Sequence, residues 1–411
     1  MKNFLYRLHI SFSRIANLFS SEKHLHNARF AKPPELESLS SNTLEGLLLG
    51  MDRFHRALRV QTTQKRRELG NVLVDAPTRG GKGLLGISQI LTWPHSIIIN
   101  DIKGDLFKQT AGYRNRLGPL YVFDPDGYGN QYDPLLNRLS NRDLISSATD
   151  LLDHVSDQEI IFTQRAIVML TQLFLAARLE RRSLLPFVQE MIGLGLIGVS
   201  EKLEMLSRLH NMQPNLATKF LDVDIDNADF KDKFLLSCWG TLKPRMELLL
   251  ADPTVRCFNK PDFTGKGIIT SKTPITVYLR WPERDLHALS PIIRLVWKSL
   301  IDEMMDTYDN QNGEDCHPVL LLVDEAGRTA IPSLADHATT VNGRGISLWV
   351  AIQSLSQLDA VYGRSRAQIL RDNMESQIYY RPCNQETADY LQKCLGNKSG
   401  FAHSDHDRSG N

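Results

Sequence analysis

The chain has 411 residues, 42% of them hydrophobic and 23% charged, with a formal net charge of +1. That length supports two domains and a sizeable core, and the balance excludes both a disordered polymer and a protein that attracts polyanions through its overall charge. Five cysteines without a CxxC pair exclude a disulfide frame or a zinc site and read as reduced thiols.

The first 70 residues depart from this balance, with twelve Lys and Arg against six Asp and Glu. Such a region suits a polyanionic neighbour, lipid headgroups or DNA, or else a solvated arm. Within it, Phe4, Leu8, Phe12, Ile15 and Phe19 share one helical face over residues 2–19, and Lys2, Arg7 and Arg14 lie off that face. This is the pattern of a basic amphipathic helix on a membrane surface. A transit peptide shares it, and packing on the chain's own domain is the other reading. No apolar run approaches the ~18–20 residues of a membrane span; the nearest is "MIGLGLIGV" at 191–199.

Residues 28–50 read as a connector followed by a strand near Leu47–Gly50. "NVLVDAP" (71–77) predicts a buried strand running into a Gly-rich turn, and "KGLLGISQILTW" (82–93) the helix after it, stopped by Pro94. "SIIIND" (96–101) and "LYVFDP" (120–125) are short apolar runs ending in Asp, as parallel strands do before a loop. From 135 to 265 the apolar residues recur at helical spacing without strand-like runs, which predicts an all-helical insertion. "TPITVYLRWP" (273–282), "PVLLLVDEAG" (318–327) and "ISLWVAIQ" (346–353) return to strands, with a long helix at 289–308. The polar stretch 397–411 predicts disorder. Strand and helix alternate in the rest, so the expected class is an α/β sheet covered on both faces.

"VLVDAPTRGGKGLLG" (72–86) carries the chemistry. A phosphate-binding loop needs a strand, a Gly-rich turn whose amides surround the phosphates, and a helix whose N-terminus faces them. Pro77, Thr78, Arg79, Gly80, Gly81, Lys82, Gly83 and Leu84 stand at the expected positions, with Lys82 as the cation for the β- and γ-phosphates of ATP. Two positions depart from the common pattern. Ala76 replaces its first Gly, and Gly83 replaces the hydroxyl that usually touches Mg²⁺, which water can supply instead. In "LLLVDEAG", Asp324 emerges at a strand end to hold the magnesium shell, and Glu325 is placed to polarise a water. Gln353 ends the next strand, where a polar side chain can orient that water. Arg344, with Arg371 as a second candidate, could reach a neighbouring subunit's nucleotide.

The order of "APTRGGKG", "LTWPHSIIINDIKGD", "TAGYRNRLG", "VFDPDG", "VDEAGRTAIPSLADHATTVNGRGISLWVAIQSLSQLDAVYG" and "QIYYRPCNQETADYLQKCLG" resembles the TraG/TraD-type coupling proteins of type IV secretion systems, from about Ala28 to Gly396. One branch of that family also carries Gly after the loop lysine. The resemblance implies a RecA-like P-loop NTPase motor (28–134 and 266–396) with an all-α domain (135–265) inserted in it. It implies ATP and Mg²⁺ as cofactors and a homohexamer at the cytoplasmic face of the bacterial inner membrane. It also implies delivery of relaxase-bound single-stranded DNA, or of protein substrates, to the secretion channel and its inner-membrane components. Lys82, Asp324, Glu325 and Gln353 fall on the family's nucleotide positions, and Arg344 lies near its arginine-finger position. Family members usually begin with transmembrane helices and continue past the last motif, so a closing strand is expected to be missing. Two alternatives stay open: a substrate receptor that hydrolyses little ATP, and an FtsK-like pump for double-stranded DNA.

Overall fold

The computed structural model describes residues 31–395 apart from 41–45, 61–68, 137–139, 153–159, 330, 332–333 and 381–383. The expected helix at 2–19 and the polar stretch at 397–411 lie outside the described residues. Where a connector was expected, α1 (Pro33–Leu39) forms, because Pro33 presets the helical φ and Glu35 accepts the Lys32 amide at 2.7 Å. The strand expected near Leu47 is β1 (Leu47–Met51), paired antiparallel with β2 (Ala57–Val60).

The core of the fold is one seven-stranded sheet. Its strands are β3 (Val72–Asp75), β4 (Ser96–Asp101), β5 (Leu120–Phe123), β6 (Thr276–Arg280), β7 (Val319–Val323), β8 (Ile346–Ile352) and β9 (Ser376–Tyr379). They run in the order β5-β6-β4-β7-β8-β3-β9, every pair parallel. Runs such as Val319–Val323 are buried throughout, as a sheet covered on both faces requires.

The two-residue period of a strand divides these side chains between two cores. Val72, Val74, Ile97, Ile99, Leu320 and Leu322 pack with Trp349 against β1, α2 (Lys82–Thr92) and α3 (Asp105–Leu117). Leu73, Ile98, Leu321, Val323 and Leu348 face the other side. There they meet α11 (Ser290–Asn310), α12 (Leu334–Ala338), α13 (Leu355–Tyr362) and α14 (Arg364–Asp372). The last helix among the described residues, α15 (Gln385–Leu395), lies beside α13.

Between β5 and β6, which are neighbours in the sheet, the chain makes a helical detour. It contains α4 (Asn141–Leu152), α5 (Ile160–Leu179), α6 (Leu184–Gly193), α7 (Gly195–Leu209), α8 (Leu216–Leu221), α9 (Lys233–Leu249) and α10 (Gly265–Thr270), without a strand among the described residues. Its core is continuous with the second face of the sheet. One expectation is corrected here. α5 spans 20 residues with a window of mean hydropathy 1.6, so by length and composition it could cross a membrane. Thr163, Arg165, Thr171 and Gln172 interrupt its apolar run in the sequence. In the fold α5 is a core helix, enclosed by α4, α6, α8 and α9.

Candidate functional site

β3 delivers residues 76–81 to the N-terminus of α2. Arg79 and Gly81 take left-handed φ values of +63° and +99°. For Arg79 that conformation is costly and marks a backbone shaped for a purpose. The Gly80 amide donates to the Pro77 carbonyl at 2.8 Å, and a Cβ on Gly80 would stand 2.8 Å from the same oxygen, so position 80 excludes a side chain. Thr78 and Leu84 are exposed on either side of the turn. Lys82 opens α2 behind Gly81, which has no side chain to cap the helix, and among the described residues no side chain accepts from the amides of its first turn. Such a terminus favours an anion.

β7, β8 and β3 are adjacent, and residues just past their carboxyl ends meet. Asp324 and Glu325 follow β7, and Gln353 follows β8. Lys82 Nζ lies 2.7 Å from Glu325 Oε1 and 3.9 Å from Asp324 Oδ1. Gln353 Nε2 donates to Glu325 Oε2 at 2.8 Å, and Thr78 Oγ1 donates to Gln353 Oε1 at 3.3 Å. Glu325 is thus the centre of a network that returns to the loop. It is 2% exposed and sits at φ +55°, again in the left-handed region. Burial works against its charge, but Lys82, Gln353 and Lys103 outweigh burial and hold the carboxyl below its ordinary range. Asp324 goes the other way, because burial pushes it up more than the Lys82 charge brings it down.

Two residues that the sequence reading did not single out complete the site. Lys103, on the turn after β4, places Nζ 3.2 Å from the same Glu325 Oε1 that Lys82 contacts. Asn100, buried in β4, donates to the Asp324 carbonyl at 2.9 Å and to Thr329 Oγ1 at 3.2 Å. Its own oxygen accepts from the Trp281 and Trp297 indoles at 3.0 and 3.4 Å. Both residues act across the β4–β7 pairing, which only strand order reveals. The sequence signal was "NDIKGD", polar residues packed at a strand end.

Arg344 is not part of this network. It closes a 3₁₀ turn (Asn342–Arg344) just before β8, at the amino edge of the sheet, opposite the loop. Two bonds of 2.8 and 2.7 Å join its guanidinium to Asp309 of α11. Arg371 pairs with Asp359 at 3.5 Å and likewise stands outside the network.

The match to known proteins is extensive. The family model described as "Type IV secretory system Conjugative DNA transfer" covers residues 29–405. The conjugal transfer protein TraG of Escherichia coli is 27% identical over 356 residues, 79% of this chain and 55% of TraG. VirD4 of Rhizobium radiobacter is 27% identical over 337 residues, 79% of this chain and 48% of VirD4. The chain therefore spans about half the length of these relatives. Among solved structures, the plasmid coupling protein TrwB in complex with a non-hydrolysable ATP analogue superposes with a TM-score of 0.63. That superposition covers 89% of this chain and 82% of TrwB at 18% identity. TrwB in complex with ADP and Mg²⁺ gives the same TM-score. The fold is that of a RecA-like P-loop NTPase, and the chain belongs to the type IV secretory system conjugative DNA transfer family.

Proposed function

We propose that this chain is the motor of a conjugative coupling ATPase. It binds ATP with Mg²⁺ at the carboxyl edge of the sheet and uses hydrolysis to move single-stranded DNA with its relaxase, or a secreted protein, towards a type IV secretion channel. The observation that carries this reading is the convergence of Lys82, Asp324, Glu325 and Gln353 from three neighbouring strands beside an uncapped helix N-terminus. The complexes of TrwB with an ATP analogue and with ADP and Mg²⁺ support it.

When bound, Mg²⁺-ATP supplies an electrophilic γ-phosphate with its charge partly neutralised. The amides of residues 79–84 receive phosphate oxygens, and Lys82 exchanges its contact with Glu325 for one with the phosphates. Asp324 would hold the magnesium shell. Nothing stands within 4 Å of a Cβ built on Gly83, so a water fits where a hydroxyl is missing. Glu325 takes the proton of the attacking water at Oε1, while Gln353 fixes Oε2 and reports through Thr78 to the loop. Arg344 serves a neighbouring subunit as an arginine finger, for which it must leave Asp309.

In this reading residues 28–134 and 266–396 are the motor and 135–265 the domain that receives substrate. The assembly is a homohexamer at the cytoplasmic face of the inner membrane, touching lipid through residues 2–19. Turnover of Mg²⁺-ATP tests it. Lys82→Ala is expected to abolish hydrolysis, and Glu325→Gln to keep nucleotide binding while losing turnover by about 10²-fold or more. Binding without turnover in the unaltered protein would favour a receptor instead. Stimulation by double-stranded DNA alone would favour an FtsK-like pump.

A further inference from the structure

The segment beside the Asp324–Glu325 turn braces it at two points. Asn100 of β4 donates to the Asp324 carbonyl at 2.9 Å, and further along, Lys103 places Nζ 3.2 Å from Glu325 Oε1. The same Oε1 lies 2.7 Å from Lys82 Nζ, while Oε2 accepts from Gln353 at 2.8 Å. Each carboxylate oxygen has two lone pairs, so the two ammoniums saturate Oε1. A water finds no acceptor there until one of them leaves.

The two lysines are anchored differently. Lys82 is the first residue of α2 and directly follows the loop, so the phosphates compete for it. Lys103 belongs to the turn between β4 and α3, and that turn is fixed from behind. Asp101, 3% exposed, accepts the Phe107 amide at 2.8 Å, and Gly104 takes φ +72° to open α3. Neither feature involves the phosphate loop. When Lys82 turns to the phosphates, one lone pair of Oε1 is freed and Lys103 keeps the other. Glu325 is then gripped at both oxygens, by Gln353 and by Lys103, and the open direction is the one the Lys82 ammonium has left. Without Lys103, Gln353 would be the last side-chain partner of the carboxylate among the described residues. Asp324 and the triphosphate would both repel it, and a carboxylate held at one oxygen has a broad terminal torsion. The backbone offers no relief, since Glu325 is itself held at φ +55°.

We propose that Lys103 is the positioning residue for Glu325: it holds Oε1 after Lys82 has turned to the nucleotide, so that the vacated lone pair meets the water to be activated. The inference rests on the ATPase reading above and adds a residue to its machinery. Lys103 acts through the carboxylate of Glu325 and touches no reacting atom.

The test uses the full chain, steady-state Mg²⁺-ATP turnover for kcat and KM, and binding of a fluorescent ATP analogue. Lys103→Met is expected to lower kcat on the order of tenfold, the value of one charge-assisted hydrogen bond, with KM and analogue affinity held within about twofold. Lys103→Arg should recover most of the loss, because a guanidinium can grip the same oxygen, whereas a role in folding alone would not need the charge. In a Glu325→Gln background, measured in single turnovers, Lys103→Met should cost almost nothing further, because the carboxylate through which it acts is already gone. An unchanged or raised kcat in Lys103→Met overturns the proposal. A loss of analogue affinity that matches the loss of kcat also overturns it, because Lys103 would then be a phosphate ligand. So does an undiminished further loss in the Glu325→Gln background. Failure of the unaltered chain to bind the analogue or to turn over ATP is a separate result and would sink the ATPase reading itself.

Discussion

Gly83 stands one residue past the loop lysine, where other P-loops place a hydroxyl, and its surroundings set what that position tolerates. It lies inside α2, its φ is not in the left-handed region, and a Cβ there meets no atom within 4 Å. Gly83→Ser is therefore expected to keep Mg²⁺-ATP affinity within about threefold, or to tighten it by adding a direct ligand to the ion. A titration showing complete loss of binding would mean that the loop needs Gly83 for a reason the backbone does not display. Asp75, the last residue of β3, behaves differently. The residue is 4% exposed, Oδ2 has no hydrogen-bond partner among the described residues, and burial pushes the carboxyl up to about 6 against the opposing Thr387 hydroxyl. Its folded value lies above the unfolded one, so the folded state takes up a proton, and ionisation between about pH 4 and pH 6 removes stability. The stability of Asp75→Asn relative to wild type should accordingly rise by roughly 2–3 kcal/mol from pH 4 to pH 7 and then level off. Urea unfolding at several pH values measures this, and a flat difference would show that Asp75 is solvated.

Elements differ in how plainly the sequence announces them. β4, β7 and β8 are legible because a strand buried on both faces needs an unbroken apolar run, and "SIII", "VLLLV" and "ISLWVAI" supply one. β9 is an edge strand of four half-buried residues, "SQIY", so it needs no such run and reads as loop. α3 is also obscured, because its buried face includes Thr110 and Arg114 in place of aliphatic residues. The site divides in the same way. Lys82, Asp324, Glu325 and Gln353 sit at strand ends within local motifs, whereas Asn100 gains its place only because β4 lies beside β7. Asn100 satisfies four groups at once: two indoles, a hydroxyl and the carbonyl beneath the DE turn. Asn100→Leu strands them in the interior and is expected to cost about 4 kcal/mol or more, from roughly 1–3 kcal/mol for each buried group left unpaired. It should also lower turnover more than nucleotide binding, since the Asp324–Glu325 turn loses its anchor. Denaturant midpoints and turnover together check this, and an unchanged midpoint would contradict the network.

At the scale of the whole molecule, the position of Arg344 on the amino edge means that it can complete only another copy's site. Arg344→Ala mixed with Glu325→Gln is expected to recover part of the turnover that each lacks alone, because some interfaces then pair an intact arginine with an intact carboxylate. No recovery at any mixing ratio would show that Arg344 only braces Asp309. The helical detour carries one more consequence, for how the protein is made. α5 has the length and oiliness of a bilayer span, and in the fold its neighbours cover it. α6, α8 and α9 are made after it, and α9 begins only at Lys233, well past Leu179 where α5 ends. At roughly 5–20 residues per second, a ribosome leaves α5 without its last partner for several seconds. During that interval the nascent chain exposes an apolar helix that by length and composition could cross a membrane. The helices that form the substrate-receiving domain in the proposed reading are thus also the cover that buries this apolar helix once they are made.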